Sequence, residues 1–147
     1  MTRPSIWIAS FSMLLFSCQT GAQSTPNAPA SSARIYTGHQ AAHHMQLPDG
    51  SLRTMPDGTP IQLAGGTFTI TLQDDGQVQV DRKLDDGRQF AYVGQCNLLG
   101  TGAWRCTAND GVGTPLVFEL VLNEEGTGQY RSMGYDPPFD LARKGED

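Results

Sequence analysis

Gly66-Thr67-Phe68-Thr69-Ile70-Thr71-Leu72-Gln73-Asp74-Asp75-Gly76-Gln77-Val78-Gln79-Val80-Asp81-Arg82 alternates between apolar and polar residues on both sides of Asp74-Asp75-Gly76. Successive side chains of a strand point to opposite faces, so a period of two marks each arm as a β-strand with one buried side. Asp-Asp-Gly between two such arms is a hairpin signal. Glycine adopts without strain the left-handed conformation that closes a three-residue loop. Folding there sets Leu72 opposite Val78 and Ile70 opposite Val80.

The same punctuation recurs at Asp85-Asp86-Gly87, Gly100-Thr101-Gly102, Asn109-Asp110-Gly111 and Glu124-Glu125-Gly126. It sets Val80 opposite Tyr92 and Arg82 opposite Phe90, then Leu98 opposite Trp104 and Cys96 opposite Cys106 with no bulge. The fourth turn sets Trp104 opposite Leu116, and the last sets Leu120 opposite Tyr130. In every hairpin an even-numbered residue faces an even-numbered one. Phe68, Ile70, Leu72, Val78, Val80, Phe90, Tyr92, Trp104, Leu116, Phe118, Leu120, Leu122 and Tyr130 form the apolar set. Odd positions carry residues such as Thr67, Gln79, Asp81, Asn97, Arg105, Glu119 and Gln129. A one-residue slip in any turn would mix the two sets. The chain therefore reads as all-β: an antiparallel up-and-down meander curled into a small barrel of about seven to eight strands. No long amphipathic helix is available to cover the apolar face instead.

Beyond Tyr130 the chain breaks at Asp136-Pro137-Pro138 and resumes as Phe139-Asp140-Leu141-Ala142-Arg143, a last strand that keeps residues 66–147 in one meander. Upstream, residues 34–65 read as an irregular segment with short hairpins. Pro48-Asp49-Gly50 and Pro56-Asp57-Gly58 repeat a Pro-Asp-Gly turn eight residues apart there. Cys96 and Cys106 lie across one hairpin on the apolar face beside Trp104, and a disulfide is expected in an oxidising compartment.

The compartment follows from the N-terminus. Residues 1–17 read as an export signal: Met1-Thr2-Arg3 is its basic start, and residues 6–16 form an apolar run of about eleven, against the roughly twenty of a transmembrane helix. Leu15-Phe16-Ser17-Cys18 ends the run as a lipobox, so Cys18 is expected to carry acyl chains such as palmitate. Residues 18–33 then contain only small and polar residues with no charge, the composition of a disordered tether. Gln19, by resemblance to lipoproteins of Gram-negative bacteria, implies the outer membrane. Several acyl chains make such anchorage stable. The alternative is cleavage after Thr20-Gly21-Ala22, which would release a soluble periplasmic or secreted protein.

Lys and Arg number 10 against 15 Asp and Glu; without Arg3 the exported part has nine against fifteen, a net charge of −6. That balance argues against nucleic acid and against adsorption to anionic lipid, and is compatible with a basic protein partner. The roughly 114 residues past the tether suffice for one small domain, expected as a monomer.

Chemistry is sparse. His39, His43 and His44 are the only histidines. His39 and His43 could share a face on a helical turn, yet no acidic or thiol ligand lies at useful spacing, so no metal is expected. Asp74-Asp75 and Asp85-Asp86 are read as turn chemistry, since a calcium loop needs more converging oxygens than two. No nucleophile motif or phosphate-binding glycine loop occurs, and neither enzymatic activity nor a cofactor is expected. The inward positions that are not apolar are Arg82, Arg88, Thr114 and Ser132, together with the hydroxyls of Tyr92 and Tyr130. If the barrel holds a cavity, Arg82, Tyr92, Tyr130 and Ser132 are the groups that would face a ligand.

An acylated cysteine, a tether, a small antiparallel barrel and one disulfide together resemble the small calycin-like barrel lipoproteins that inhibit lysozyme or proteases in the bacterial envelope. The segment closest to the Ser-Gly-x-x-Tyr loop of the c-type lysozyme inhibitors is Thr127-Gly128-Gln129-Tyr130, one residue shorter and with Thr for Ser. It transfers no site residue. The resemblance implies a protein-binding module, an inhibitor or an envelope accessory; the competing reading is a carrier of a small apolar or amphipathic molecule inside the barrel.

Overall fold

A computed structural model describes residues 32–134 and 136–145. The signal, Cys18 and the tether up to residue 31 lie outside the described residues. Every regular element among the described residues is a strand: β1 (Ala33–Gln40), β2 (His43–His44), β3 (Gln62–Leu63), β4 (Gly66–Gln73), β5 (Gln77–Leu84), β6 (Gln89–Gly100), β7 (Ala103–Asn109), β8 (Pro115–Leu122), β9 (Thr127–Ser132) and β10 (Phe139–Arg143). Eight of them close an antiparallel barrel in the order β1-β10-β9-β8-β7-β6-β5-β4, while β2 and β3 form a separate small ladder. This is the expected up-and-down meander, and closure leaves no barrel edge unpaired.

The hairpin registers follow the alternation. Leu72 faces Val78 and Ile70 faces Val80; Val80 faces Tyr92 and Arg82 faces Phe90; Cys96 faces Cys106; Leu120 faces Tyr130. The cysteines are joined in a disulfide.

Two turns depart from expectation. After Leu98 faces Trp104 the register slips, so that Gly100 faces Ala103. Leu99 is a bulge, which shortens the loop to Thr101-Gly102. The β7–β8 loop is longer than a three-residue turn: Ala108 faces Leu116, and Trp104 faces Leu120 instead of Leu116. Its left-handed glycine is Gly113, with φ of 86°, and not Gly111. The reason is Asp110, whose Oδ1 accepts from Val112 N–H at 3.0 Å and Thr114 N–H at 2.8 Å and gathers the loop around itself. The shift is four residues. Being even, it leaves each side chain on its predicted face.

Residues 34–65, expected as irregular, begin with a full barrel strand. β1 pairs along its whole length with β4 and closes the barrel against β10 through Tyr36 and Arg143. Its Tyr36 is 2% exposed and belongs to the core.

The interior holds Phe68, Ile70, Leu72, Val78, Val80, Cys96, Cys106, Phe118, Leu120 and Tyr130, all even-numbered and buried. Each fully buried large apolar side chain contributes roughly 1.5–3 kcal/mol. Tyr130 is the hub, with ring centroids 5.0 Å from Phe118, 4.8 Å from Phe139 and 5.2 Å from Phe68. In β10 the parity reverses, with Phe139 and Leu141 pointing inward, because the connection from β9 sets Phe139 against Tyr130. Phe90, assigned to the core by parity, is 36% exposed at the start of β6.

The barrel has two distinct ends. At one, β1 starts, β10 finishes, and the loops between β4 and β5, β6 and β7, and β8 and β9 are tight turns. At the other, the far end, lie residues 41–65 and the loops 85–88, 110–114 and 133–138.

Candidate functional site

The four candidate ligand-facing residues converge on the far end. Arg82 projects inward from β5 and stacks its guanidinium over Phe68, 5.0 Å from the ring centroid, with a buried Nε that has no hydrogen-bond partner. Tyr92 is 8% and Tyr130 2% exposed. Burial pushes the Tyr130 phenol well above its ordinary range, Asp136 and Tyr92 push the same way, and Arg82 opposes them. These influences bring Arg82, Tyr92, Tyr130 and Asp136 into one neighbourhood. Ser132, half-buried at the end of β9, accepts the Gly134 N–H at 3.1 Å. Arg88 and Thr114, expected inside, are exposed: Arg88 is held 2.8 Å from Asp86, and Thr114 lies in the Asp110 loop.

One depression in the surface runs over Thr67, Thr69, Asp81, Lys83, Gln89 and Ala91 on the barrel wall, and Arg82 is the member of the cluster that lines it. Another is a rim at the tight-turn end, where Arg34 stacks 5.8 Å from the Trp104 ring beside Leu98 and Leu122. The ring contacts around Tyr130 occupy the interior between them.

The histidines are not a pair. His39 stands on β1 with Nε2 3.1 Å from Asp85 Oδ1, and His43 on β2 with Nε2 2.9 Å from Asp136 Oδ1. The helical turn that would have put them on one face is extended chain. Among the described residues no group of three or more His, Cys, Asp or Glu side chains comes together to hold a metal ion. The two histidines act as staples. With buried Gln40, whose Nε2 donates to Pro137 O at 3.3 Å, and with Asp85 N–H donating to Gly65 O at 2.9 Å, they fasten the root of residues 41–65 to the barrel rim.

That excursion has an internal logic at which the Pro-Asp-Gly repeat only hints. Three backbone hydrogen bonds form a ring at its centre: Met45 N–H to Ile61 O at 2.9 Å, Ile61 N–H to Arg53 O at 2.9 Å, and Arg53 N–H to Met45 O at 2.8 Å. The three residues are spaced by eight. Each begins a unit: Met45-Gln46-Leu47-Pro48-Asp49-Gly50, Arg53-Thr54-Met55-Pro56-Asp57-Gly58, and Ile61-Gln62-Leu63-Ala64-Gly65-Gly66. The first two units end in matching turns. Gly50 and Gly58 have φ of 82° and 85°, and Asp49 and Asp57 each accept an amide N–H two residues on at 2.9 Å. The third unit runs instead into β4. A period-eight pattern through residues 45–66 is the signal the sequence offers for it; with proline in two copies and none in the third, it is easily missed.

Bonds from Ser51 hold the Asp49 carboxyl below its ordinary range, backbone donation from Thr59 does the same for Asp57, Arg88 for Asp86, and backbone donation from Thr114 for Asp110. All four lie at the far end. No family model, curated protein or solved structure matches this chain.

Proposed function

We propose that this chain is a non-enzymatic lipoprotein of the cell envelope, anchored through Cys18 to the outer membrane, and that it acts as a protein-binding module of the inhibitor or envelope-accessory type. The observation that carries this reading is the packed interior. With Tyr130 in contact with three aromatic rings, recognition is left to loops on a rigid barrel. The competing reading, carriage of a small apolar or amphipathic molecule, requires free space where Phe68, Phe118, Tyr130 and Phe139 meet.

Two measurements test it. Replacing Cys18 by Ala should move the protein from the membrane to the soluble fraction; wild-type protein already soluble after export would remove the anchor from the proposal. Purified protein titrated with a fluorescent fatty acid should show no saturable binding. Stoichiometric uptake that is lost in Tyr130→Trp, a variant that crowds the interior further, would favour carriage.

A further inference from the structure

From the far end we infer an interaction surface: the twin Pro-Asp-Gly tips of residues 45–60 dock a folded protein whose contact site is an apolar recess rimmed by basic residues. The inference rests on the protein-binding reading above and names its surface and partner class.

Four observations converge. The tips carry Leu47, Leu52 and Met55, exposed at 39%, 41% and 51%. They stand on a framework fixed by the hydrogen-bonded ring of Met45, Arg53 and Ile61 and stapled to the barrel by His39 and His43. Apolar side chains presented on a backbone that is already fixed spare the cost of ordering the loop on binding. Each tip also carries an aspartate, Asp49 or Asp57, and Asp110 stands at the same end of the barrel on the β7–β8 loop. These three carboxylates accept only from neutral donors of their own turns. Among the described residues none of the three has a cationic partner. Arg53, the one cation of the excursion, sits at the ring, where its Nη1 lies 3.7 Å from Met45 Sδ. Fixed negative charge beside exposed apolar groups favours a cationic partner, speeding encounter and setting register. Finally, β1 starts and β10 finishes at the opposite rim, so Ala33 and Arg143 stand away from this surface.

The test uses the full-length protein in its own cells with a photo-crosslinking residue at Leu47, at Met55, or at Val93 on the barrel wall, which is 66% exposed. Crosslinking at the tips, and not at Val93, should yield one discrete protein with net positive charge. Its purified form should bind wild type with an affinity that falls about tenfold in the Leu47→Ser/Met55→Ser variant, on the scale of two peripheral apolar contacts. Affinity should fall, with a shallower salt dependence, in Asp49→Asn/Asp57→Asn, because Asn keeps the turn bond and loses the charge. An unchanged thermal midpoint would show that both variants keep the fold. A neutral or acidic partner, or unchanged affinity in either variant, overturns the inference. Adducts at Val93 alone overturn it while leaving the protein-binding reading standing. No protein adduct at any position defeats both.

Discussion

Gly87 and Gly102 both close hairpins with positive φ, 92° and 71° respectively, yet they are not equivalent. A Cβ on Gly87 would meet nothing within 4 Å, whereas one on Gly102 would collide with Leu122 O. The contact is close because Leu122 N–H donates to Gly102 O at 2.7 Å, which ties the β6–β7 turn to β8. Gly87→Ala should therefore cost about 1–2 kcal/mol, the left-handed penalty alone. Gly102→Ala should cost about 3–4 kcal/mol, since the inter-strand bond is lost as well. Equal losses in denaturant unfolding would mean that the approach of β8 carries no weight.

Tyr130 makes a second prediction at this scale. Its folded phenol is raised above the ordinary value of 10.0 by burial first. A group that holds its proton more tightly in the folded state contributes stability that is fully present below the unfolded value and is lost as pH rises past it. Alkaline titration should show a phenolate, missing from Tyr130→Phe, that forms only as the barrel unfolds. Ionisation of Tyr130 at the pH of free tyrosine, with the barrel still folded, would contradict its placement.

At the scale of the element, the β6–β7 hairpin depends on its disulfide. Cys96 N–H points away from β7 and donates to Gly76 O at 2.7 Å. The two cysteines thus form a non-hydrogen-bonded pair, the closer kind, and the bond is buried, with Cys96 3% and Cys106 0% exposed. For a separation of 10 residues, the chain-entropy treatment gives about 2.5–3 kcal/mol. The double Cys96→Ala/Cys106→Ala variant should accordingly melt roughly 10 °C or more below wild type. A shift of a degree or two would show that the reduced chain is already restrained by the turn bonds at this end.

Across the whole molecule, acid sensitivity should follow the far-end aspartates. Asp49, Asp57, Asp86 and Asp110 all have folded values below the unfolded 3.8. Their contribution is fully present above about pH 4 and is lost as pH falls through the lowered folded values. All four are exposed, so the effect is modest and screened by salt. Asp86 and Asp110 close barrel hairpins, and their protonation bears on the global midpoint; Asp49 and Asp57 close the excursion's tips, where protonation should appear as local opening. The melting temperature should stay level from neutral pH to about pH 4 and decline below it, with a shallower decline in Asp110→Asn. Amide exchange of Ser51 and Thr59 should accelerate over the same interval. Exchange rates at these two amides that stay flat through the decline would disconnect the tips from their carboxylates.

Local order is legible in the sequence itself, because a hairpin is decided by residues close along the chain. Alternation with a period of two assigns the faces of β4 to β9, and turn glycines set most of their pairing, including Cys96 with Cys106. Where a side chain competes for the turn, as Asp110 does, the closing glycine moves to Gly113 while the faces stay correct. Three features are settled only by tertiary structure. β1, Ala33-Arg34-Ile35-Tyr36-Thr37-Gly38-His39-Gln40, has no clean alternation, and it is a strand because β4 and β10 each leave an edge that closure must satisfy. β10 turns its odd residues inward because its connection from β9, and not a hairpin turn, sets its phase. The gathering of Arg82, Tyr92, Tyr130 and Asp136 at the far end, and the fastening of His39 to Asp85 and of His43 to Asp136 over separations of 46 and 93 residues, likewise arise from closure. A period-two pattern carries information about the next strand only. Which ends meet around a barrel is a property of the closed sheet.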